Sequence, residues 1–337
     1  MTHRTPPGRP GARGPAPSVL HRGDDAAVHV CHGLDDPLLP KLLENDEFFW
    51  LKLEAPTNEE LQELGGRFGL HPLAIEDTQE FGQRPKIDDY GDTALLVFYG
   101  VDEDGDPIEV HFHVSGQWMI TVHRDHRPLL NSAADRVGKD APKTEEEAIY
   151  RVLDALTDSF FPVLDKIDDE IDVLMDAMLE KPTQDQRQQL FHLRRKLVDL
   201  RRIATPQRDI LARGSDVLGG LPGLEADDAR DWFRDVYDHL VRISELIDSY
   251  RDLLAGALDL YLSTVSNRLN AISKQLTIVA TIFLPLTFVT GFFGQNFGTL
   301  VRHINTPAAF WGYGVGGMIA AALVLLWYFR HAGFFDA

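Results

Sequence analysis

The sequence predicts an α+β cytoplasmic domain that leads through a long stalk helix into two transmembrane helices. Three observations carry this reading. Strand and helix patterns mix from about Asp24 to Arg124. A helical pattern broken only by Gly256 and Pro285 runs from Asp227 to Phe293. Two uncharged stretches, Leu276 to Phe293 and Thr306 to Phe329, follow near the end of the chain.

In chain order, the segment from Thr5 to Ser18 is rich in Pro, Gly and Arg and has no apolar core, which fits a disordered tail rather than a signal peptide. Phe48 to Leu53 reads as a strand. A helix is expected from Asn58 to Phe68, with Glu59 and Glu60 in the first turn where the helix dipole favours negative charge. Ala94 to Val101 and Glu109 to His123 read as further strands of a mixed sheet, punctuated by Asp104-Gly105-Asp106-Pro107 and Ser115-Gly116. From Glu145 to Leu179 apolar residues recur at helical spacing up to Lys181-Pro182, and a second helix from Gln184 to about Arg213 completes an antiparallel hairpin.

Gly219 to Gly223 is a clear break. The helix expected beyond it would be roughly 100 Å long at 1.5 Å per residue, too long for one globular core. Its end, Leu276 to Phe293, is just long enough for a hydrocarbon layer of roughly 30 Å, and Thr306 to Phe329 crosses comfortably. The division is then a disordered tail over residues 1–22, an α/β domain over 23–142 and a helical hairpin over 143–222. A stalk over 223–275, a first span over 276–293, an outer loop over 294–306, a second span over 307–329 and a tail over 330–337 follow. Two spans put both termini on one side, and the large domain carries no export signal, so that side is expected to be the cytoplasm. Arg268, Lys274 and Arg330 flank the inner ends in keeping with the positive-inside rule, although Arg302 lies in the outer loop.

Charge narrows the function. The formal net charge of −19 belongs to the region up to Lys274, because only Arg302, Arg330 and Asp336 are charged after it. An acidic domain argues against nucleic acid and favours cations as partners. The single cysteine, Cys31, excludes an internal disulfide and any multi-cysteine zinc site. No nucleophile–base pair or phosphate-cradling glycine loop points to an enzyme.

The long helix shows one unusual face. Alternating steps of four and three from Asp252 give Gly256, Asp259, Ser263, Ser266, Asn270, Ser273, Thr277, Ala280, Leu284, Thr287 and Gly291. All but Leu284 are small or polar. A repeat of 3.5 residues predicts a left-handed bundle of copies of this helix with the stripe on its axis. One reading is a small-residue seam for close helix approach. The other is a water-filled pore, favoured because the stripe stays polar in the stalk, where a dry coiled coil would place Leu and Ile. Hydroxyls, amides and carbonyls hydrogen-bond the water around an ion without stripping it, and Mg²⁺ gives up its water most reluctantly. Leu284 is the expected constriction, with Pro285 freeing a backbone carbonyl beside it. His111 and His113 share one strand face, with His123 and His126 downstream, a conceivable transition-metal site that competes with ordinary strand histidines.

At the end of the first span, Phe293-Gly294-Gln295-Asn296-Phe297 resembles the Tyr-Gly-Met-Asn signature of the CorA family of magnesium and cobalt transporters. Family-like stretches precede it in order: His71 to Asp77, Gln83 to Lys86, Phe233 to His239, Tyr261 to Asn267 and Thr281 to Phe288. The resemblance covers roughly residue 45 to the C-terminus. It implies a homopentameric funnel in the bacterial cytoplasmic (inner) membrane, lined by the first span and passing Mg²⁺, with Co²⁺ or Ni²⁺ also accepted. It implies a pore mouth at Gly294, Gln295 and Asn296, pore positions at Asp259, Asn270 and Thr287, and a regulatory Mg²⁺ site between subunits at Asp77 and Asp235, with Glu76 beside them. Facing carboxylates repel unless a cation bridges them, so loss of the ion loosens the interface. Two departures favour the zinc-transporting, ZntB-like branch: Gln295 stands where the signature has Met, and the outer loop is basic at Arg302 and His303. A Zn²⁺ transporter, proton-coupled or not, is therefore one alternative, and a non-conducting metal-sensing scaffold is another.

Overall fold

The computed structural model describes residues 18–22, 26–45, 47–124, 144–218, 220–222, 224, 226–295 and 306–331, with residues 130, 142, 298 and 302 singly. Residues 1–17 of the expected tail, Asn296, His126, His303, most of the outer loop and the chain beyond residue 331 lie outside them. Two compact units divide the chain: Met1–Leu174 with Asp185–Ala257, and Met175–Gln184 with Leu258–Ala337.

The first unit is built on one mixed sheet. Its strands are β1 (Ser18–Arg22), β2 (Ala26–His32), β3 (Phe49–Glu54), β4 (Lys86–Asp89), β5 (Ala94–Val101), β6 (Pro107–Val114) and β7 (Trp118–His123). They lie in the order β1-β2-β3-β7-β6-β5-β4. β2, β3 and β7 are parallel to one another and the other neighbours are antiparallel. β1 corrects the disordered tail expected to reach residue 22. Its backbone hydrogen bonds to β2 hold as a strand five residues that composition alone assigned to the tail. Every residue of β5 and β7 is buried, and strands covered on both faces read as apolar runs rather than alternations.

Helices α1 (Leu39–Asn45) and α2 (Asn58–Phe68) join a core that includes Leu39, Leu42, Leu51, Leu61, Leu64, Phe68 and Ile120. The bounds of α2 follow from chemistry. Thr57 accepts from the Glu60 N–H while the Glu60 carboxylate accepts from the Thr57 N–H, and Gly69 closes the helix at φ 65°. Helix α3 (Pro72–Gln79) approaches α2 closely: a Cβ on Gly65 would stand 3.0 Å from the Ile75 side chain.

The sequence predicts one helix from Glu145 to Leu179, but the structure has two, α4 (Glu145–Asp158) and α5 (Phe160–Glu180). Pro162 has no N–H to give the Asp158 carbonyl, so an unbroken helix would leave a gap there. Ser159 fills the break, its hydroxyl accepting from Val101 N–H at 2.8 Å and donating to the Leu156 carbonyl at 2.6 Å. Helix α6 (Gln184–Leu218) runs five residues past the expected Arg213 and sends Gln207 Oε1 back to the Tyr99 N–H of β5.

Helix α7 (Ala226–Phe293) is continuous over 68 residues and passes through Pro285 without a break. In the first unit it buries Phe233, Val236, Leu240, Ile243, Ile247, Tyr250, Leu254 and Ala257. Its outer half belongs to the second unit, together with a second long apolar helix, Pro307–His331. That helix opens with Pro307–Ala309, widens into a π-helical stretch at Phe310–Gly316 and continues as Gly317–His331. Both helices are long and apolar enough to cross a membrane, and the apolar window in each is unburied.

Candidate functional site

The polar stripe is open along the single chain. Asp259, Ser263, Ser266, Asn270, Ser273, Thr277, Ala280, Leu284, Thr287 and Gly291 are all exposed on the single chain. Leu284 is 73 % exposed amid these small and polar neighbours.

Two hydroxyls on the stripe are oriented. Thr277 Oγ1 donates to the Ser273 carbonyl and Thr287 Oγ1 to the Phe283 carbonyl, each at 2.8 Å. Their hydrogens are committed to the helix, so each oxygen presents lone pairs outward. A hydrated cation turns water hydrogens toward its surroundings, and such oxygens are suited to accept them.

A second seam borders the stripe. Leu258, Leu262, Val265, Leu269, Ile272, Leu276, Val279, Phe283 and Leu286 follow one another by alternating fours and threes. Leu262, Leu269, Ile272, Leu276, Val279 and Phe283 are each more than half exposed. An apolar row of 3.5-residue spacing is the pattern by which helices pack lengthwise. Its signal stands in the sequence as a second 3.5-residue spacing beside the stripe.

At its C-terminal end α7 stops at Phe293, and the Gly294 N–H donates to the Thr290 carbonyl at 2.9 Å. A Cβ on Gly294 would stand 3.1 Å from that carbonyl, a tight approach that favours glycine at this turn. Gln295 follows, its N–H donating to the Phe292 carbonyl. Asn296, the third residue expected at the pore mouth, is outside the described residues. Behind this turn a cavity of about 420 Å³ is lined by Val289, Thr290, Phe293, Gly294, Phe310 and Gly314 among others.

The expected regulatory residues all belong to the first unit. Asp77, on α3, receives Gln83 Nε2 on one carboxylate oxygen at 3.2 Å and Lys86 Nζ on the other at 2.5 Å. Lys86 also reaches Asp88 at 3.0 Å. Burial pushes the Asp77 carboxyl up, but the hydrogen bonds from Lys86 and Gln83 and the Lys86 charge outweigh it and hold the group below its ordinary value. Glu76 is exposed. Asp235, on α7, accepts from the Tyr150 hydroxyl at 2.7 Å. Burial and then that hydrogen bond raise the Tyr150 phenol, which keeps it a donor. Within one chain Asp77 and Asp235 therefore have separate partners.

One turn beyond Asp235 lies a group the sequence reading missed. His239 Nδ1 stands 3.2 Å from Asp154 Oδ1 and 3.4 Å from Asp158 Oδ1, and the three ligand atoms lie within 4.8 Å of one another. The two aspartates are four residues apart on α4, as are Asp235 and His239 on α7, so each pair shares a helix face. The sequence shows both spacings, but only the packing of α4 on α7 brings them together.

The strand histidines do not converge. His113 is buried and bonded to Thr78 Oγ1 at 2.9 Å, whereas His111 Nε2 pairs with Glu109 at 2.8 Å. Neither belongs to a group of three metal-ligating side chains among the described residues.

Comparison with known proteins agrees with this arrangement. Residues 45–331 match the family model described as CorA-like Mg2+ transporter protein. The cobalt/magnesium transport protein CorA of Thermotoga maritima is 35 % identical over 283 residues, 80 % of this chain and 78 % of the relative. The putative metal ion transporter YfjQ of Bacillus subtilis is 34 % identical over 298 residues, 86 % of this chain and 90 % of the relative. In three dimensions the complete CorA magnesium transporter of Methanocaldococcus jannaschii superposes with a TM-score of 0.74 at 23 % identity, over 85 % of this chain and 90 % of that one.

Proposed function

Since the chain belongs to the family of CorA-like Mg²⁺ transporters, we propose that it passes hydrated divalent cations, chiefly Mg²⁺, through a pore lined by α7. The observation that carries this is the continuously exposed stripe from Asp259 to Gly291, small or polar at every position but Leu284. Five copies would place it on a common axis, with the apolar seam from Leu258 to Leu286 packing between neighbours. Both termini would lie in the cytoplasm, with the hairpin crossing the inner membrane.

The chemistry is selection by water rather than by direct ligation. Thr277 and Thr287 accept hydrogen bonds from the ion's own water, so the ion keeps its shell and meets no carboxylate between Thr277 and Gly291. Co²⁺ and Ni²⁺, which form similar hydrated dications, would pass as well. Leu284 narrows the path and closes it by excluding water. Gly294, Gln295 and Asn296 form the mouth, where amide oxygens receive the hydrated ion.

Closure would depend on cytoplasmic Mg²⁺. Asp77 with Glu76 would face Asp235 of a neighbouring copy, and an ion between them would offset their repulsion. The Asp154, Asp158 and His239 group, one turn from Asp235, offers a further cytoplasmic position for a divalent ion.

Flux of Mg²⁺ and Zn²⁺ into proteoliposomes tests the proposal. Mg²⁺ uptake that falls about tenfold in Asn296→Ala is expected, equivalent to about 1.4 kcal/mol at the mouth. Zn²⁺ uptake without Mg²⁺ uptake would favour the zinc reading that Gln295 and Arg302 support. No flux of either ion would leave the metal-sensing scaffold.

A further inference from the structure

We propose that Lys86 is a built-in competitor for the regulatory cation: its ammonium occupies Asp77 when Mg²⁺ is absent and retreats to Asp88 when Mg²⁺ arrives. The inference rests on the reading of Asp77 as a cytoplasmic Mg²⁺ ligand and adds to it the element that sets the working concentration.

Three observations support it. Lys86 Nζ lies 2.5 Å from Asp77 Oδ2 and 3.0 Å from Asp88 Oδ2, so it bridges two carboxylates and has an alternative when one is taken. Gln83 holds the other Asp77 oxygen, so both oxygens already have donors. An incoming ion must therefore replace a bond rather than fill an empty position. Finally, Asp77 and Lys86 are each about 30 % exposed, open enough for a hydrated ion to reach and for the lysine to swing away.

The backbone makes the exchange local. Lys86 and Asp88 lie on β4, which among the described residues is an edge strand paired only with β5, and their side chains share one face because they are two residues apart. Asp77 is on α3, whose neighbouring residue Thr78 is tied to buried His113. The helix that carries the carboxylate is thus anchored while the ammonium, on its flexible four-carbon stem, can move. A tethered cation competes at a fixed local concentration, so it lowers apparent Mg²⁺ affinity without changing the ligands. A ligand with many competitors in the cytosol needs that affinity to be weak, because only then does occupancy follow its concentration.

The prediction is a pair of opposite shifts. Full-length protein in proteoliposomes is read for the internal Mg²⁺ that halves flux, and for the Mg²⁺ that half-protects the detergent-solubilised protein from trypsin. Lys86→Met lowers both concentrations about fivefold, and Asp88→Asn raises them about twofold by confining the lysine to Asp77. Lys86→Arg, which keeps the charge, restores values near wild type. Asp77→Asn raises both concentrations strongly if Asp77 is a ligand. If Asp77→Asn changes neither, the ligand reading fails and this inference falls with it. If Asp77→Asn acts but Lys86→Met and Asp88→Asn shift nothing, or shift in the same direction, Lys86 is an ordinary ion-pair partner and the inference alone is overturned.

Discussion

Thr78 has one hydroxyl hydrogen and two neighbours that want it. It donates to the Ala74 carbonyl at 2.7 Å, which leaves its lone pairs to accept from His113 Nε2. Burial first, and the nearby His111 charge second, hold His113 far below its ordinary value of 6.5, at about 3. Between these two values only the unfolded chain takes the proton, so stability is intact above pH 6.5 and falls as pH drops toward 3. The slope approaches about 1.4 kcal/mol per pH unit. Melting temperatures of the solubilised protein should fall less steeply from pH 6.5 to pH 5 in His113→Asn than in wild type; equal slopes would exclude this origin. His113 also illustrates what a sequence conceals at this scale. Alternation put His111 and His113 on one strand face, yet each is absorbed by a different partner, Glu109 or Thr78, and those partners come from the packing. Asp77 and Asp235 were legible only through the motifs around them. Asp154, Asp158 and His239 carried spacing but no sign that their two helices meet.

At the scale of the element, α7 has three faces with three tasks. One buries Phe233 to Ala257 within its own unit, one presents the polar stripe, and one carries the apolar seam. Substitutions on the first and third should therefore differ in kind. Ile243→Ala creates a cavity and costs about 2–4 kcal/mol of chain stability. Leu269→Glu should leave the single chain folded but disrupt assembly, seen as a loss of the oligomer by light scattering in detergent. An unchanged oligomer would remove the seam from the interface. The stripe was readable because a 3.5-residue period persists over so many turns that chance cannot sustain it. The capped helix α2 was readable because Thr57, Glu60 and Gly69 each act locally. The break at Ser159 was not, since apolar spacing continues across it and only the missing N–H of Pro162 betrays it.

At the scale of the whole molecule, charge is distributed unevenly. The formal net charge of −19 is −20 up to Lys274 and +1 beyond it, and on the proposed topology exposed Arg302 would face the opposite side. On that topology a cation arriving from outside would be repelled there rather than drawn in. Arg302→Glu should raise uptake at low external Mg²⁺ about twofold and lose that advantage at high salt, where the Debye length shortens to about 3 Å. A salt-independent gain would point to a changed mouth instead of a changed field. The oriented threonines have a consequence for energy coupling. A proton hops along a water file only where each link can both give and take a hydrogen. Within the membrane the stripe offers Thr277 and Thr287, whose hydrogens are held by carbonyls, and Ala280, Leu284 and Gly291, which offer none. On the proposed pore, such a wall supplies no proton-relaying side chain of its own, so flux down this path is expected to proceed without drawing on a pH gradient.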